Sequence, residues 1–243
     1  MIGVIVQART GSSRFPRKIY EDINGKTTLE RVMEGVSHAM LPNKIILAMP
    51  LYDSGDFFKK ENIGGFKYEA IAGPRFNTYF GSENDLIERF FQAARSHGLS
   101  LIVRVTADCP LIQGDIIDNM LTEYFRKGYN GYMSNIIHTA AVPYPSGMDV
   151  EIFPYWMLAE VYSLETNKFS REHVGPSFYG PNRVAPYNLY GYSNISPNRV
   201  IVNPFDNFSF DTPEDLELIK KITKHYDVHG DLNKALDDAK NGR

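Results

Sequence analysis

Residues 2 to 18 read IGVIVQARTGSSRFPRK, and the order of types within them sets the architecture. Ile2-Gly3-Val4-Ile5-Val6 has the length and β-branched content of a buried strand. It runs directly into a loop that carries Arg9, Arg14, Arg17 and Lys18 around Gly11-Ser12-Ser13. A strand delivering a small-residue, cationic loop suits a polyanion, because backbone N–H groups and side-chain cations converge there on phosphate oxygens. Pro16 restricts the chain between Arg14 and Lys18. The spacing is not that of the Walker loop, and no G-x-G-x-x-G fingerprint occurs. The loop is therefore a candidate triphosphate site of another kind, set against the plainer reading of a basic surface turn.

The rest of the composition narrows the partners. Twenty-six Lys and Arg against 29 Asp and Glu give a formal charge of −3, so the cations at 9 to 18 are a local device and extended nucleic-acid binding is disfavoured. No apolar run approaches the roughly 18 to 20 residues that span a bilayer, so no membrane partner is expected. Cys109 is the single cysteine, which excludes an intrachain disulfide. Met1 leads straight into the strand without the order of segments in a secretory signal, and the expectation is a cytoplasmic protein.

Working outward, apolar periods alternate between strand and helix. Helices are predicted at 28 to 40, near 55 to 61, at 84 to 97, at 115 to 127 and from Pro213 to about Tyr226; strands are predicted at 44 to 49, 68 to 72 and 101 to 105. This alternation predicts an α/β fold with a mostly parallel sheet and helices on both faces. From Tyr129 to Tyr192 Tyr, Pro and Gly are frequent, and short strands are predicted at 148 to 153, 184 to 190 and 199 to 203. The whole chain, 1 to 243, reads as one domain, with 129 to 195 as an insertion for acceptor binding and dimer contacts.

Two carboxylates fall where strands should end. Asp108, in Thr106-Ala107-Asp108-Cys109-Pro110, follows the 101 to 105 run; Asp211, in Phe208-Ser209-Phe210-Asp211-Thr212-Pro213, follows an aromatic-rich extended run. Ligands of open α/β sheets collect at the carboxyl ends of strands, where the 9 to 18 loop also lies. One or two carboxylates completed by substrate phosphates suit magnesium. Asp211 is also a candidate cap of the following helix, a task Thr212 can perform instead.

Five segments in register carry a resemblance: Gln7 to Lys18, Arg104 to Ile112, Asp149-Val150-Glu151, Arg171-Glu172-His173-Val174 and Asp211 to Leu216. Together they resemble the spore-coat polysaccharide type of cytidylyltransferase, a relative of the CMP-deoxyoctulosonate and CMP-acylneuraminate synthetases, over nearly the whole chain. The resemblance implies a Rossmann-like nucleotidyltransferase fold, transfer of a cytidylyl group from CTP to an acidic small-molecule acceptor, Mg2+, and a homodimer. It assigns the triphosphate to Gln7, Ala8, Arg9, Gly11, Ser12, Ser13, Arg14 and Lys18, with Arg14 and Lys18 neutralising the departing phosphates, and the metal to Asp108 and Asp211. The base-reading loop corresponds to residues 81 to 85 with Ser82 and Asp85, which equally read as a helix cap. Arg17 departs from the pattern, since relatives usually carry Gly there.

Asp149, Glu151, Arg171, Glu172 and His173 are the polar groups expected at the acceptor, although Arg171-Glu172-His173 also reads as a surface ion-pair cluster. His225 and His229 have the spacing of a helical metal pair, but without a third ligand nearby they read as a solvated face. A nucleotide-sugar glycosyltransferase would use a similar sheet with an Asp-X-Asp metal motif, which Asp108-Cys109-Pro110 does not supply. A non-catalytic nucleotide-binding protein would not need both aspartates.

Overall fold

The first buried strand lies between two parallel neighbours, as its apolar sequence requires. In a computed structural model, residues 1–12, 14–59, 64–136, 140, 144–181, 183–192 and 207–240 are described. In chain order the elements are β1 (Ile2–Gln7), the small hairpin β2 (Asp22–Ile23) and β3 (Lys26–Thr27), α1 (Thr28–Ser37), β4 (Lys44–Pro50), α2 (Asp53–Lys59), α3 (Gly64–Ala72), β5 (Phe76–Gly81), α4 (Leu86–Ser96), β6 (Leu101–Thr106) and α5 (Gly114–Arg126). There follow β7 (Tyr132–Ser134), β8 (Glu151–Pro154), α6 (Tyr155–Leu164), α7 (Lys168–His173), α8 (Pro176–Tyr179), β9 (Leu189–Gly191), α9 (Pro213–His229) and α10 (Leu232–Lys240).

Among the described residues, seven strands form one sheet in the order β5-β4-β1-β6-β8-β7-β9. The β5-β4-β1-β6 half is parallel; β8 joins antiparallel to β6 and β7, and β9 pairs parallel with β7. Side chains alternate between the two faces. Val4, Val6, Ile45, Leu47, Val103 and Val105 enter a core beneath α1 and α5 with Leu29, Val32, Met33, Ile117 and Met120, whereas Ile5, Ile46, Ala48 and Ile102 pack with Ile87, Phe90, Met157, Leu158 and Phe178 on the other face. The predicted fold class is thus the observed one.

Several expectations for individual elements are corrected. The segment 68 to 72 ends a helix, and the strand beside β4 is Phe76–Gly81; a short apolar run carries too little periodicity to separate the two. Tyr155–Leu164, where no element is predicted, is helical, with Met157, Leu158 and Val161 buried while Trp156 and Leu164 are exposed. It is apolar on both sides, so it lacks the polar stripe that marks a surface helix. The C-terminal helix runs to His229 and is followed by α10, packed against it. The strand expected at 199 to 203 lies outside the described residues.

Candidate active site

At the carboxyl ends of β1 and β6 the chain leaves the sheet in two directions. The Ala107 amide donates to the Gln7 carbonyl, extending the β1-β6 pairing by one step, and Phe210 N–H donates to the Asp108 carbonyl at 2.9 Å. That backbone bond sets Asp211 beside Asp108. It is held from the other side by the 144 to 150 loop, where Ser146 bridges to Asn207 and Gly147 adopts φ 95°. A Cβ at Gly147 would lie 2.3 Å from the Phe208 carbonyl carbon, so only glycine allows this approach. Thr212 caps α9 in a reciprocal capping box with Asp215. The Asp211 carboxylate is thereby left for other partners.

Those partners come from the N-terminal loop. Lys18 Nζ donates to Asp108 Oδ2 at 2.7 Å, to Asp211 Oδ1 at 2.8 Å and to the Phe210 carbonyl at 2.8 Å, using all three of its N–H groups. Arg14 Nη2 lies 2.9 Å from Asp211 Oδ2. Burial alone would lower the Lys18 pKa, but the charges and hydrogen bonds of Asp108 and Asp211 outweigh it and hold the ammonium above its ordinary value. Burial likewise pushes the Asp108 carboxyl up, and the Lys18 charge and hydrogen bond reverse this and hold it below the ordinary range. Two carboxylates from distant segments thus point at one cation.

The loop that carries these cations is fixed by short-range bonds. Ser12 N–H and Arg17 N–H both donate to the Thr10 carbonyl, and Thr10 N–H and hydroxyl bind the Asp53 carboxylate at the start of α2. Arg17 occupies the left-handed region at φ 63°, ψ 20°, which gives a physical reason for a glycine there. Its guanidinium lies over the Tyr20 ring, 5.6 Å from the centroid. Arg9 Nη1 is 3.5 Å from Glu172 Oε1. Ser13 lies outside the described residues.

A polar cleft of about 310 Å³ opens here, lined by Gln7, Ala8, Arg9, Ser12, Arg14, Lys18, Arg104, Asp108, Asp149, His173, Ser209 and Asp211 among others. Arg104 forms its floor, donating to Gln7 Oε1 through Nε and Nη2 and to the buried Glu151 through Nη1. Tyr132 also donates to Glu151. Burial pushes the Asp149 carboxyl up to about 6, against the opposing hydrogen bond at Gly147 and charge of Arg104, with Asp108 raising it further. The sequence motifs assign no site role to Arg104, Asp53 or Tyr132. For Arg104 the signal exists, a lone cation within an otherwise apolar strand.

Other expected site residues sit differently. Asp85 Oδ1 accepts from Glu88 N–H as the cap of α4, while Asp85 Oδ2 accepts from Arg171 Nε at 2.7 Å. Arg171 also donates to the Tyr162 and Glu165 carbonyls, and the Ser82 hydroxyl accepts from Asp85 N–H. The side chains expected at base and acceptor, Asp85 and Arg171, therefore face each other. Gly11 approaches the Tyr52 hydroxyl, where a Cβ would lie at 2.7 Å. His225 Nδ1 is 3.8 Å from Asp238 Oδ2 on α10. Among the described residues no helix is long and apolar enough to cross a membrane.

A family model described as cytidylyltransferase matches residues 3 to 238. The spore coat polysaccharide biosynthesis protein SpsF of Bacillus subtilis is 24% identical over 223 residues, covering 90% of this chain and 84% of that protein. A solved cytidylyltransferase from Leptospira borgpetersenii is similar in structure with a TM-score of 0.76 at 26% identity, covering 92% of this chain and 87% of that one. A CMP:2-keto-3-deoxy-manno-octonic acid synthetase solved in complex with CTP shares the fold, with a TM-score of 0.65 at 13% identity over 92% of this chain and 98% of that one.

Proposed function

Because the chain belongs to the cytidylyltransferase family, and is a nucleotidyltransferase that uses CTP, we propose that it transfers CMP from CTP to an acidic sugar or phosphorylated acceptor, releasing pyrophosphate, in the synthesis of surface polysaccharide precursors. The observation that carries this reading is the convergence of Lys18 with Asp108 and Asp211 at the mouth of the cationic cleft. The relationship to a spore coat polysaccharide protein and to a synthetase complexed with CTP supports the acceptor class and the nucleotide.

In this reading an acceptor oxygen displaces pyrophosphate in line at the α-phosphorus. Arg9, Arg14 and Lys18 bind the phosphate oxygens and neutralise charge on the leaving group. The paired carboxylates of Asp108 and Asp211 fit a hard divalent cation, since both already direct oxygens at the single ammonium that stands between them. Magnesium held there would supply neutralisation of the α-phosphate charge. Gln7 and Arg104 form the floor against which the substrate is oriented, and Glu151 and Tyr132 fix that guanidinium. Asp149 and His173, which line the cleft, orient the acceptor and accept its proton. Asp85 and Arg171 act through position, tying α7 to the 81 to 85 loop that flanks the base.

The same reading takes the protein as cytoplasmic and homodimeric, with the 129 to 195 segment contributing the acceptor pocket and the subunit contact. Light scattering on the purified chain tests the dimer. The function itself is tested by measuring pyrophosphate released from each of the four triphosphates against a panel of acidic sugars and sugar phosphates. CTP-specific release with one of these acceptors is expected; release that ignores the nucleotide, or none across the panel, removes the reading.

A further inference from the structure

Lys18 stands at the point toward which the oxygens of Asp108 and Asp211 are directed. We propose that Lys18, helped by Arg14, closes this aspartate pair to divalent cations in the free protein, so that a metal ion enters only with the triphosphate that draws both cations away. The proposal rests on the reading of the two aspartates as metal ligands and adds an order of events to it.

The oxygens of Asp211 are both taken, Oδ1 by Lys18 at 2.8 Å and Oδ2 by Arg14 at 2.9 Å, and Asp108 Oδ2 is held by Lys18 at 2.7 Å. Two carboxylates and two cations sum to zero, so the cluster offers an arriving divalent ion no net attraction and a like charge at close range. Lys18 is buried, with its side chain 11% exposed, and satisfied at all three N–H groups. Opening the site therefore requires a competing anion for the ammonium. A triphosphate in the adjacent loop supplies oxygens for Lys18 and Arg14 together. Once they move, the carboxylate charges are no longer neutralised and their oxygens are open beside the phosphates. Metal and nucleotide then strengthen each other's binding by the same factor, as linkage requires.

Water-proton relaxation with Mn2+ as the probe tests this on the full chain. In the absence of nucleotide Lys18→Met should bind Mn2+ at least about tenfold more tightly than the wild type, and Asp108→Asn in that background should abolish the gain. Adding CTP without acceptor should tighten Mn2+ binding strongly in the wild type and little in Lys18→Met. Arg14→Gln, at an exposed position, should move the free protein in the same direction by a smaller factor and serves if Lys18→Met does not fold. The proposal is overturned if the wild type binds Mn2+ as tightly without CTP as with it, or if neither variant tightens binding. Calorimetry with CTP in the presence of Mg2+ is the separate arm: absence of CTP binding there sinks the proposed function, while the nucleotide-free comparison still decides the closure.

Discussion

Lys18 and Asp211 are 193 positions apart in the chain, and their side chains meet at 2.8 Å. That contact joins the loop after the first strand to the segment entering α9, and with Asp108 it makes a buried cation serve two acids. The consequences for substitution and for pH follow from this arrangement.

Replacing Lys18 with Met leaves two adjacent carboxylates facing each other. Both are partly exposed, so the loss of stability should be on the order of 2 kcal/mol, below the range for a fully buried pair. Turnover should fall by at least about a hundredfold. Because Lys18 holds Asp108 below its unfolded value of 3.8, the contribution of Asp108 is present above about pH 4 and is lost as pH falls through the lower folded value. Urea titrations at pH 3, 5 and 7 should show this acid loss in the wild type and a shallower one in Lys18→Met.

Arg17→Gly should stabilise the protein. A non-glycine residue at φ 63° costs about 1–2 kcal/mol, offset in part by the entropy of glycine in the unfolded chain. The net gain should be about 0.5–1 kcal/mol, read as a rise in the urea midpoint. A loss would mean that the Arg17 contact with Tyr20 outweighs the backbone term.

The fold is legible where periodicity and breaks coincide. Val4 to Val6, Ile45 to Met49 and, but for Arg104, Leu101 to Val105 announce themselves because parallel strands covered on both faces are nearly continuously apolar. Asp108 can be located because it follows such a run and precedes a proline-marked exit. Asp211, expected at a strand end, follows the non-strand segment Phe208-Ser209-Phe210 and is marked only by the Thr-Pro start of the next helix. Residues 64 to 72 and 155 to 164 cannot be assigned, since neither carries a polar stripe to reveal helical period. The partnership of Asp85 with Arg171 spans 86 positions, and no local pattern encodes it.

The Asp149 carboxyl, raised by burial to about 6, gives a pH dependence of opposite sign. Between about pH 4 and 6 the unfolded chain releases this proton while the folded chain retains it, so stability falls as pH rises, and the deficit persists above 6. Asp149→Asn should therefore match the wild type near pH 4 and exceed it at pH 7.5 by on the order of 3 kcal/mol. Equal differences at both pH values would show that the carboxyl is not raised.

Asp85 and Arg171 should behave as one unit. Asp85→Asn, Arg171→Lys and the double variant form a cycle in which the coupling should be about 1–2 kcal/mol, since the pair is charge-assisted and partly buried. Their effect on activity should appear as a raised KM for the nucleotide, through the 81 to 85 loop, with kcat less affected.

The central claim is that the cleft between the N-terminal loop and the aspartate pair holds the triphosphate of CTP, while the 81 to 85 loop reads its base. Thermal unfolding with each of the four triphosphates, in the presence of magnesium and all at one concentration, about a hundredfold above the dissociation constant for CTP, measures this most directly. CTP should raise the midpoint by about 5–10 °C, the other three should raise it far less, and Asp108→Asn should lose most of the CTP shift. Equal shifts for all four triphosphates, or a CTP shift that survives loss of Asp108, would contradict the account.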